Sequence, residues 1–436
     1  MALNPFPASQ PTRQAAAKPT ALFRSSLMRG AVAALVLTGS LFAQSLPRGA
    51  EAFDAAKLAA IKPRMQKAVD EQALAGIVTM IVHKGKVAHL EAVGFANREA
   101  KTPMRTDTIF QIMSMTKPIT GIGIMLLMEE GKLSLTDPVE RHLPEFRKQW
   151  MVESKDGNTR MVLKRPSRPI TIRDLMTHTS GMAGFMPEGI SDFMQTMDRP
   201  LAEAVAAYAQ VPLQFEPGTQ WAYSNMGIDT LGRIIEICSG KSYEDFLAER
   251  LFQPLGMKDT FFYPMKESAA KRERIAMVYK STPEGFVRNG KEILGGDPAK
   301  YREQARYPGP SFGLFSTAED IALVSQMMLN SGTLNGKRYL SADTVDIMTT
   351  LQNGHMEPSG HNPGQGYGLT WTVVKDGRYS ILHRPLGSFG HGGAFGTDYW
   401  IDKNHQIVGV FMTASTSGTR SEERALSQIA IASLKE

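Results

Sequence analysis

Three patterns in this sequence predict a mixed α/β (α+β) fold. One domain is made from both chain ends, and a helical domain is inserted between them. Residues Gly76–Asn97 alternate around His83-Lys84-Gly85-Lys86 as a β-hairpin does. Helical spacings dominate the middle of the chain. Strand-like runs and a closing helical pattern return after residue 368. The 436 residues are 42% hydrophobic and 21% charged, enough for a large core in one large domain or two interleaved ones. No repeat of fixed period and no long low-complexity tract interrupts them. The expected division is 1–52 as a leader, 53–135 with 305–436 as the α/β domain, and 136–304 as the mainly helical insertion.

In chain order, Phe53–Gln72 is helix-like and Gly76–Asn97 is the hairpin. A nearly all-apolar run from Ile119 to Met128 gives a buried helix from Ser114 to about Glu130, stopped by Gly131. Asp137-Pro138 opens a short helix with proline at its first position. Residues 147–169 are polar and read as a surface excursion. Thr171-Ile172-Arg173-Asp174 fits a capping pattern and starts a short helix to Thr177. Residues 182–220 mix helix and loop. Ile228, Leu231, Ile234 and Ile235 put a helix over Asn225–Ser239, and Tyr243–Phe252 gives another. Residues 264–310 are a second polar excursion. Thr317–Asn330 is helical, capped by Ser316 or Thr317. Gly368–Val374, Tyr379–His383, Phe395–Ile401 and Ile407–Thr413 read as strands, and Arg420–Leu434 as the last helix.

The first 52 residues resemble an export leader. Arg13, Lys18, Arg24 and Arg29 precede the 13-residue apolar run Ala31–Ala43, and cleavage is expected after Ala43 or Ala52. That run falls short of the ~20 residues that span a bilayer, so no stable membrane span is expected. Residues 1–52 hold five basic residues and one acid, a net +4 of the chain's +6, so the remainder is near +2. No basic stripe there suggests nucleic acid. A periplasmic or secreted protein follows. The single Cys238 cannot form an internal disulfide and reads as a small core residue.

The chemistry centres on Ser114-Met115-Thr116-Lys117. Residues three apart share a helix face, so Ser114 and Lys117 sit side by side at a helix N-terminus. A serine hydroxyl needs a group to take its proton, and a lysine driven towards neutrality by burial can do that. The helix terminus favours a developing oxyanion. A plain N-cap serine beside a solvated lysine is the alternative. Tyr223-Ser224-Asn225 places a phenol and an amide two apart on one side of an extended segment. Tyr223 is expected to share a proton with Lys117 and Ser114, with a phenol pKa lowered by the neighbouring ammonium. Asn225 either binds a substrate carbonyl or holds Lys117 by its amide oxygen. Gly390-His391-Gly392-Gly393-Ala394 opens a strand whose glycines admit a close backbone, and the Ala394 amide could complete an oxyanion hole with that of Ser114.

Together these three elements resemble the penicillin-recognising serine hydrolases, with their Ser-x-x-Lys, Tyr-x-Asn and Lys-Thr-Gly motifs. The closer likeness is to class C β-lactamases and family VIII carboxylesterases. Leu175–Met182, Gly313–Ala318 and Tyr367-Gly368-Leu369 extend it over residues 65–430. The resemblance implies a β-lactamase/transpeptidase-like fold: an antiparallel sheet flanked by helices, an inserted all-helical domain, and the site between them. It implies Ser114 as the acylated nucleophile and Lys117 with Tyr223 as acid and base. Asn225, His391, Gly392, Gly393 and Ala394 would contact the substrate.

The third motif departs from the family pattern. Histidine and glycine stand where a lysine and a threonine bind the β-lactam carboxylate. This favours a carboxylesterase on short neutral esters. A β-lactamase or D-Ala-D-Ala carboxypeptidase is the first alternative, and a catalytically silent ligand-binding relative the second. Gly309-Pro310-Ser311-Phe312-Gly313 mimics a nucleophile elbow but follows no strand and launches no helix at once. His355 and His361 lack metal-ligand spacing, so neither a metal nor a cofactor is expected. The expected partner is a small-molecule ester or amide.

Overall fold

The structure is a computed structural model that describes residues 45–157, 160–187, 194, 197–282, 285–289, 305–416 and 419–435. Most of the expected leader, and residues 290–304 of the second excursion, lie outside the described residues.

Both ends of the chain enter one eight-stranded antiparallel sheet. Its order is Gln365–Tyr367, Thr372–Val374, Phe389–Gly392, Asp398–Asp402, Ile407–Thr413, Gly76–His83, Lys86–Asn97 and Thr102–Pro103. The ends meet where Gly76–His83 pairs with Ile407–Thr413, from Ile77 opposite Thr413 to His83 opposite Ile407. Side chains alternate across a strand. Ile77 and Ile81 thus join one core with Leu58, Met65, Phe411 and Leu426, from the helices Ala55–Ala59, Ile61–Asp70 and Arg420–Ala432 and a neighbouring strand. Val78, Met80 and Val82 enter the larger core on the other face, with the helices Thr116–Glu129, Asn225–Ser239 and Ala318–Leu329.

Several expected boundaries move for identifiable reasons. The single helix over Phe53–Gln72 is two, with Ala60 ending the first and opening the second. Pro138 is the N-cap of Val139–His142 rather than its first residue. Tyr379–His383 is not a strand. Thr372 pairs directly with Gly390, which leaves no place in the sheet order between them, and Tyr379 is exposed. Of Gly368–Val374 only Thr372–Val374 is strand; residues 368–371 turn the chain, with Thr370 at φ +68°, after the strand Gln365–Tyr367. The strand expected at Phe395 starts at Asp398, after a turn with Gly396 at φ +79°. His391 lies inside the strand Phe389–Gly392. The polar stretch 147–169 carries a hairpin, Met151–Asp156 with Arg160–Lys164. Most of that hairpin is exposed, so it lacks the inside–outside alternation that marks a strand in sequence.

Residues 45–52 pack on the body. The Val87 amide donates to Pro47 O (2.7 Å), the Gly49 amide to Val87 O (3.0 Å), and the Lys435 amide to Ala52 O (2.9 Å). Among the described residues no helix is long and apolar enough to cross a membrane.

At Gly409 the sheet is closed by Trp400, and a Cβ there would lie 2.0 Å from the indole. Gly409→Ala should therefore destabilise the fold by about 1–3 kcal/mol, the usual cost of overpacking a core. Thermal unfolding of the two proteins checks this, and an unchanged Tm would refute it.

Candidate active site

Ser114 stands on one 3₁₀ turn, Met113–Met115, that runs into the helix Thr116–Glu129. The preceding strand is tied down by pairing of Phe110 with Ser316 and Gln111 with Phe315, and by the Ile112 amide on Leu314 O (3.0 Å). Thr116 Oγ1 donates to Met113 O (2.7 Å) and accepts from the Leu314 amide (3.2 Å). Met113 adopts a left-handed φ of +50°, a strained state that persists only where surroundings enforce it. These contacts fix the Ser114 hydroxyl at the cleft. Gly393 closes on the same turn: a Cβ there would come within 2.4 Å of Ile112 O.

Lys117 has no exposure to solvent. Its Nζ lies 3.0 Å from Ser114 Oγ, 2.8 Å from Asn225 Oδ1 and 2.8 Å from Ser311 O. Burial lowers its pKa to about 7, against the opposing pull of the Asp229 carboxylate. A neutral amine has two N–H donors and one lone pair. Two of its three neighbours are carbonyl oxygens, which only accept. They take both N–H groups, and the lone pair is left for the Ser114 hydroxyl. Of the two roles open to Asn225, the structure shows the one that holds Lys117.

Tyr223 corrects one expectation. Lys117 Nζ sits over the ring face, 4.6 Å from its centroid. Burial raises the phenol pKa above its ordinary value, and hydrogen bonds with Ser114 and Tyr367 offset only part of this. Tyr223 is a proton donor at the nucleophile, not a tyrosinate.

His391 is buried, and its ring is turned to the protein. Nδ1 lies 2.7 Å from Gly392 O and Nε2 lies 2.6 Å from the Tyr367 hydroxyl. A carbonyl only accepts, so Nδ1 carries the proton and Nε2 accepts from Tyr367. Burial lowers the His391 pKa to about 3, and the ring stays neutral. The Tyr367 proton is thus spent on His391.

The cleft measures about 330 Å³ and is lined by Ser114, Tyr223, His361, His391, Gly392, Gly393 and Ala394, among others. Ser114 and Ala394, the two expected oxyanion donors, share it. A larger groove of about 790 Å³, between Ala96–Thr108 and Ala269–Met277, holds none of the expected site residues. The cleft lining also includes Arg384, ion-paired with buried Asp398 and placed against the Trp400 ring. Burial and the Asp398 charge raise the Glu423 pKa to about 7. Arg420 also lines the cleft and donates to Asn362 Oδ1 (2.9 Å).

Sequence reasoning missed several contributors. Trp221, His178 and His361 enclose Tyr223, with His361 4.4 Å and His178 4.5 Å from it between ring centroids. Asp229 was legible in principle. It lies four residues after Asn225, on the same helix side. Ser311, the elbow-like serine, is fully buried, and its backbone carbonyl rather than its hydroxyl meets Lys117. Among the described residues no three His, Cys, Asp or Glu side chains could hold a metal ion.

The family model described as Beta-lactamase matches residues 59–434. The chain belongs to that family. Esterase EstB of Burkholderia gladioli is 31% identical over 383 residues, covering 83% of this chain and 91% of that protein. Protein Rv1367c of Mycobacterium tuberculosis is 34% identical over 370 residues, covering 80% and 88%. Among solved structures, EstCE1, titled a hydrolase with promiscuous acyltransferase activity, has a TM-score of 0.72 at 27% identity over 85% of this chain and 98% of that one. The family and the fold expected from the motifs are those found, and the chain is a serine hydrolase.

The pH profile follows from the lysine. The base must be neutral, and its neutral fraction grows as pH rises through its pKa. Ester turnover (kcat/KM) should therefore rise through a midpoint near pH 7. No fall attributable to Tyr223 should follow below pH ~10, where an unperturbed phenol first ionises. A midpoint at or above pH 9, or a loss of rate between pH 8 and 10, would contradict these assignments.

Proposed function

We propose that this protein is a carboxylesterase that cleaves short neutral esters through an acyl-enzyme on Ser114. The observation that carries the reading is the Lys117 amine, stripped of water and directed at Ser114 Oγ from 3.0 Å. In the acylation step Lys117 accepts the Ser114 proton as Oγ attacks the ester carbonyl. The Ser114 and Ala394 amides stabilise the oxyanion. The alcohol leaves with a proton delivered from Tyr223, which is restored from Lys117. Water then attacks the acyl-enzyme by the same path in reverse. The names of EstB and EstCE1 support this reading. So does the third motif: a neutral, inward-turned His391 offers no charge to a carboxylate.

A second reading, β-lactam or D-Ala-D-Ala hydrolysis, draws on Arg420. Its guanidinium lines the cleft, whereas Arg384 is committed to Asp398. Penicillin-binding protein 4* of Bacillus subtilis is 32% identical over 45% of this chain. Neutral esters rank first because they require no cation.

Fluorophosphonate treatment followed by mass spectrometry should place one adduct, on Ser114, with none on Ser311. Ser114→Ala should lose essentially all turnover, and Ser311→Ala should keep it. Tyr223→Phe and Lys117→Ala should each lower kcat by ~10²–10⁴, the range of a general acid or base. On one preparation, kcat/KM for nitrophenyl acetate or butyrate should far exceed that for benzylpenicillin. A β-lactam rate equal to or above the ester rate would reverse the order of the two readings.

We also propose export to the periplasm or medium, with the leader cut after Ala43. A cut after Ala52 would remove Pro47 and Gly49 and their hydrogen bonds to Val87, which supports the earlier site. The N-terminal peptide of the mature protein from its native host tests this. An intact N-terminus in the cytosolic fraction would refute it.

A further inference from the structure

The Lys117 amine rests on a second, deeper layer that the acyl-enzyme chemistry does not touch. Ser311, whose carbonyl accepts from Lys117 Nζ at 2.8 Å, is itself gripped from behind. Its amide donates to Asp229 Oδ1 (2.8 Å), and Asp229 Oδ2 accepts from the Tyr307 hydroxyl. Tyr307 in turn meets the Tyr208 hydroxyl at 3.1 Å. Asp229, Tyr307 and Ser311 have no exposure to solvent. Asp229 and Asn225 lie four apart on the helix Asn225–Ser239, so one helix side supplies both the amide that holds Lys117 and the carboxylate behind it.

A buried carboxylate is costly unless it has a task or full compensation. Among the described residues a neutral tyrosine and Ser311 compensate it, and no cation forms an ion pair with it. Other titratable groups face Lys117: Tyr223, His178, His361 and His391. Burial lowers the pKa of all three histidines and raises that of Tyr223, so all four are neutral at neutral pH. Asp229 is the acidic group that acts on Lys117. Its charge favours the ammonium that forms when Ser114 gives up its proton.

We propose that Asp229 is a positioning residue for Lys117: it acts through the Ser311 peptide that both side chains grip, and it governs proton exchange between Lys117 and Ser114. This rests on the acyl-enzyme reading above. Removing the negative charge leaves the lysine less basic. In Asp229→Asn the acid limb of kcat/KM should therefore move to lower pH, by about one unit, the size expected of an opposite charge at close range. Turnover on the plateau should fall while KM for nitrophenyl acetate stays within about twofold, because Asp229 lies outside the cleft. Tyr307→Phe, which keeps the carboxylate but removes its donor, should shift the limb the same way by less.

The test is the pH profile of the wild type and both variants, each checked for folding by near-ultraviolet circular dichroism. Alongside it, the 13Cε resonance of Lys117 is titrated in 13C-lysine-labelled Ser114→Ala protein with and without Asp229→Asn. Its assignment comes from its absence in Lys117→Ala. A downward shift in both readouts supports the proposal. Folded Asp229→Asn with a wild-type limb and a wild-type Lys117 titration would overturn it while leaving the esterase reading intact. If Asp229→Asn fails to fold, an unshifted limb in Tyr307→Phe overturns it. A wild type that neither labels at Ser114 nor hydrolyses esters sinks the esterase reading instead, and the lysine titration still decides the role of Asp229.

Discussion

An amine sealed from water must have every proton and lone pair accounted for, and the arrangement around Lys117 follows from that requirement. Two carbonyl oxygens from different parts of the chain, Asn225 Oδ1 and Ser311 O, leave the nitrogen one direction of reactivity. That direction is Ser114. The helix Thr116–Glu129 has to be buried on nearly all sides to exclude water, which explains its apolar composition. The segment through Ser311 must stay fixed, and Asp229 fixes it. The left-handed backbone at Met113 aims the hydroxyl at the same point. A strained residue, a buried lysine and a buried carboxylate each cost stability. They are tolerated because the sheet and helices around them are packed to near-zero exposure.

The cleft lining combines neutral and ionic groups. Near Ser114 the groups are neutral at the working pH: an amine, a phenol and three imidazoles whose pKa values burial has lowered. The ionic groups of the lining are Arg420 and the Arg384–Asp398 pair, whose charges neutralise each other, with the Glu423 pKa raised to about 7. A substrate is thus met by neutral hydrogen-bonding groups around Ser114. Neutral acyl groups need no desolvated counter-ion in such a site.

Much of this was legible in the sequence because it is local. Ser-x-x-Lys on an apolar helix needs only a three-residue spacing to put two side chains together. The Gly76–Asn97 hairpin declares itself by alternation. The Thr171 capping box is present with both of its hydrogen bonds. What stayed hidden is tertiary. The Ser311 carbonyl lies 194 residues from Lys117, and no pattern marks a backbone oxygen as an acceptor for a distant amine. Tyr379–His383 looks like a strand by composition, but a strand exists only where a partner's edge is free. The exposed hairpin at 151–164 was missed for the converse reason: it has backbone partners without a core face. The phenol of Tyr223 was misjudged because sequence places the lysine nearby but not over the ring, and because burial outweighs proximity.

The third motif shows how a change of residue redirects a position from the cleft into the protein. A lysine at this place would act by charge, and a threonine by its hydroxyl. His391 provides neither to the cleft. Its contribution runs inward: the Gly392 carbonyl fixes the Nδ1 proton, the fixed tautomer makes Nε2 an acceptor, and that acceptor sets the direction of the Tyr367 hydroxyl. Tyr367 is then directed to His391, and at Tyr223 burial outweighs the hydrogen bonds with Ser114 and Tyr367, so the phenol keeps its proton. The order of donors is thus determined from the far end, by one backbone oxygen, without any ionised group. Such a relay holds its orientation at any pH above the range in which His391 is protonated, about 3. The titration that gates catalysis is then left to the Lys117–Asp229 pair alone.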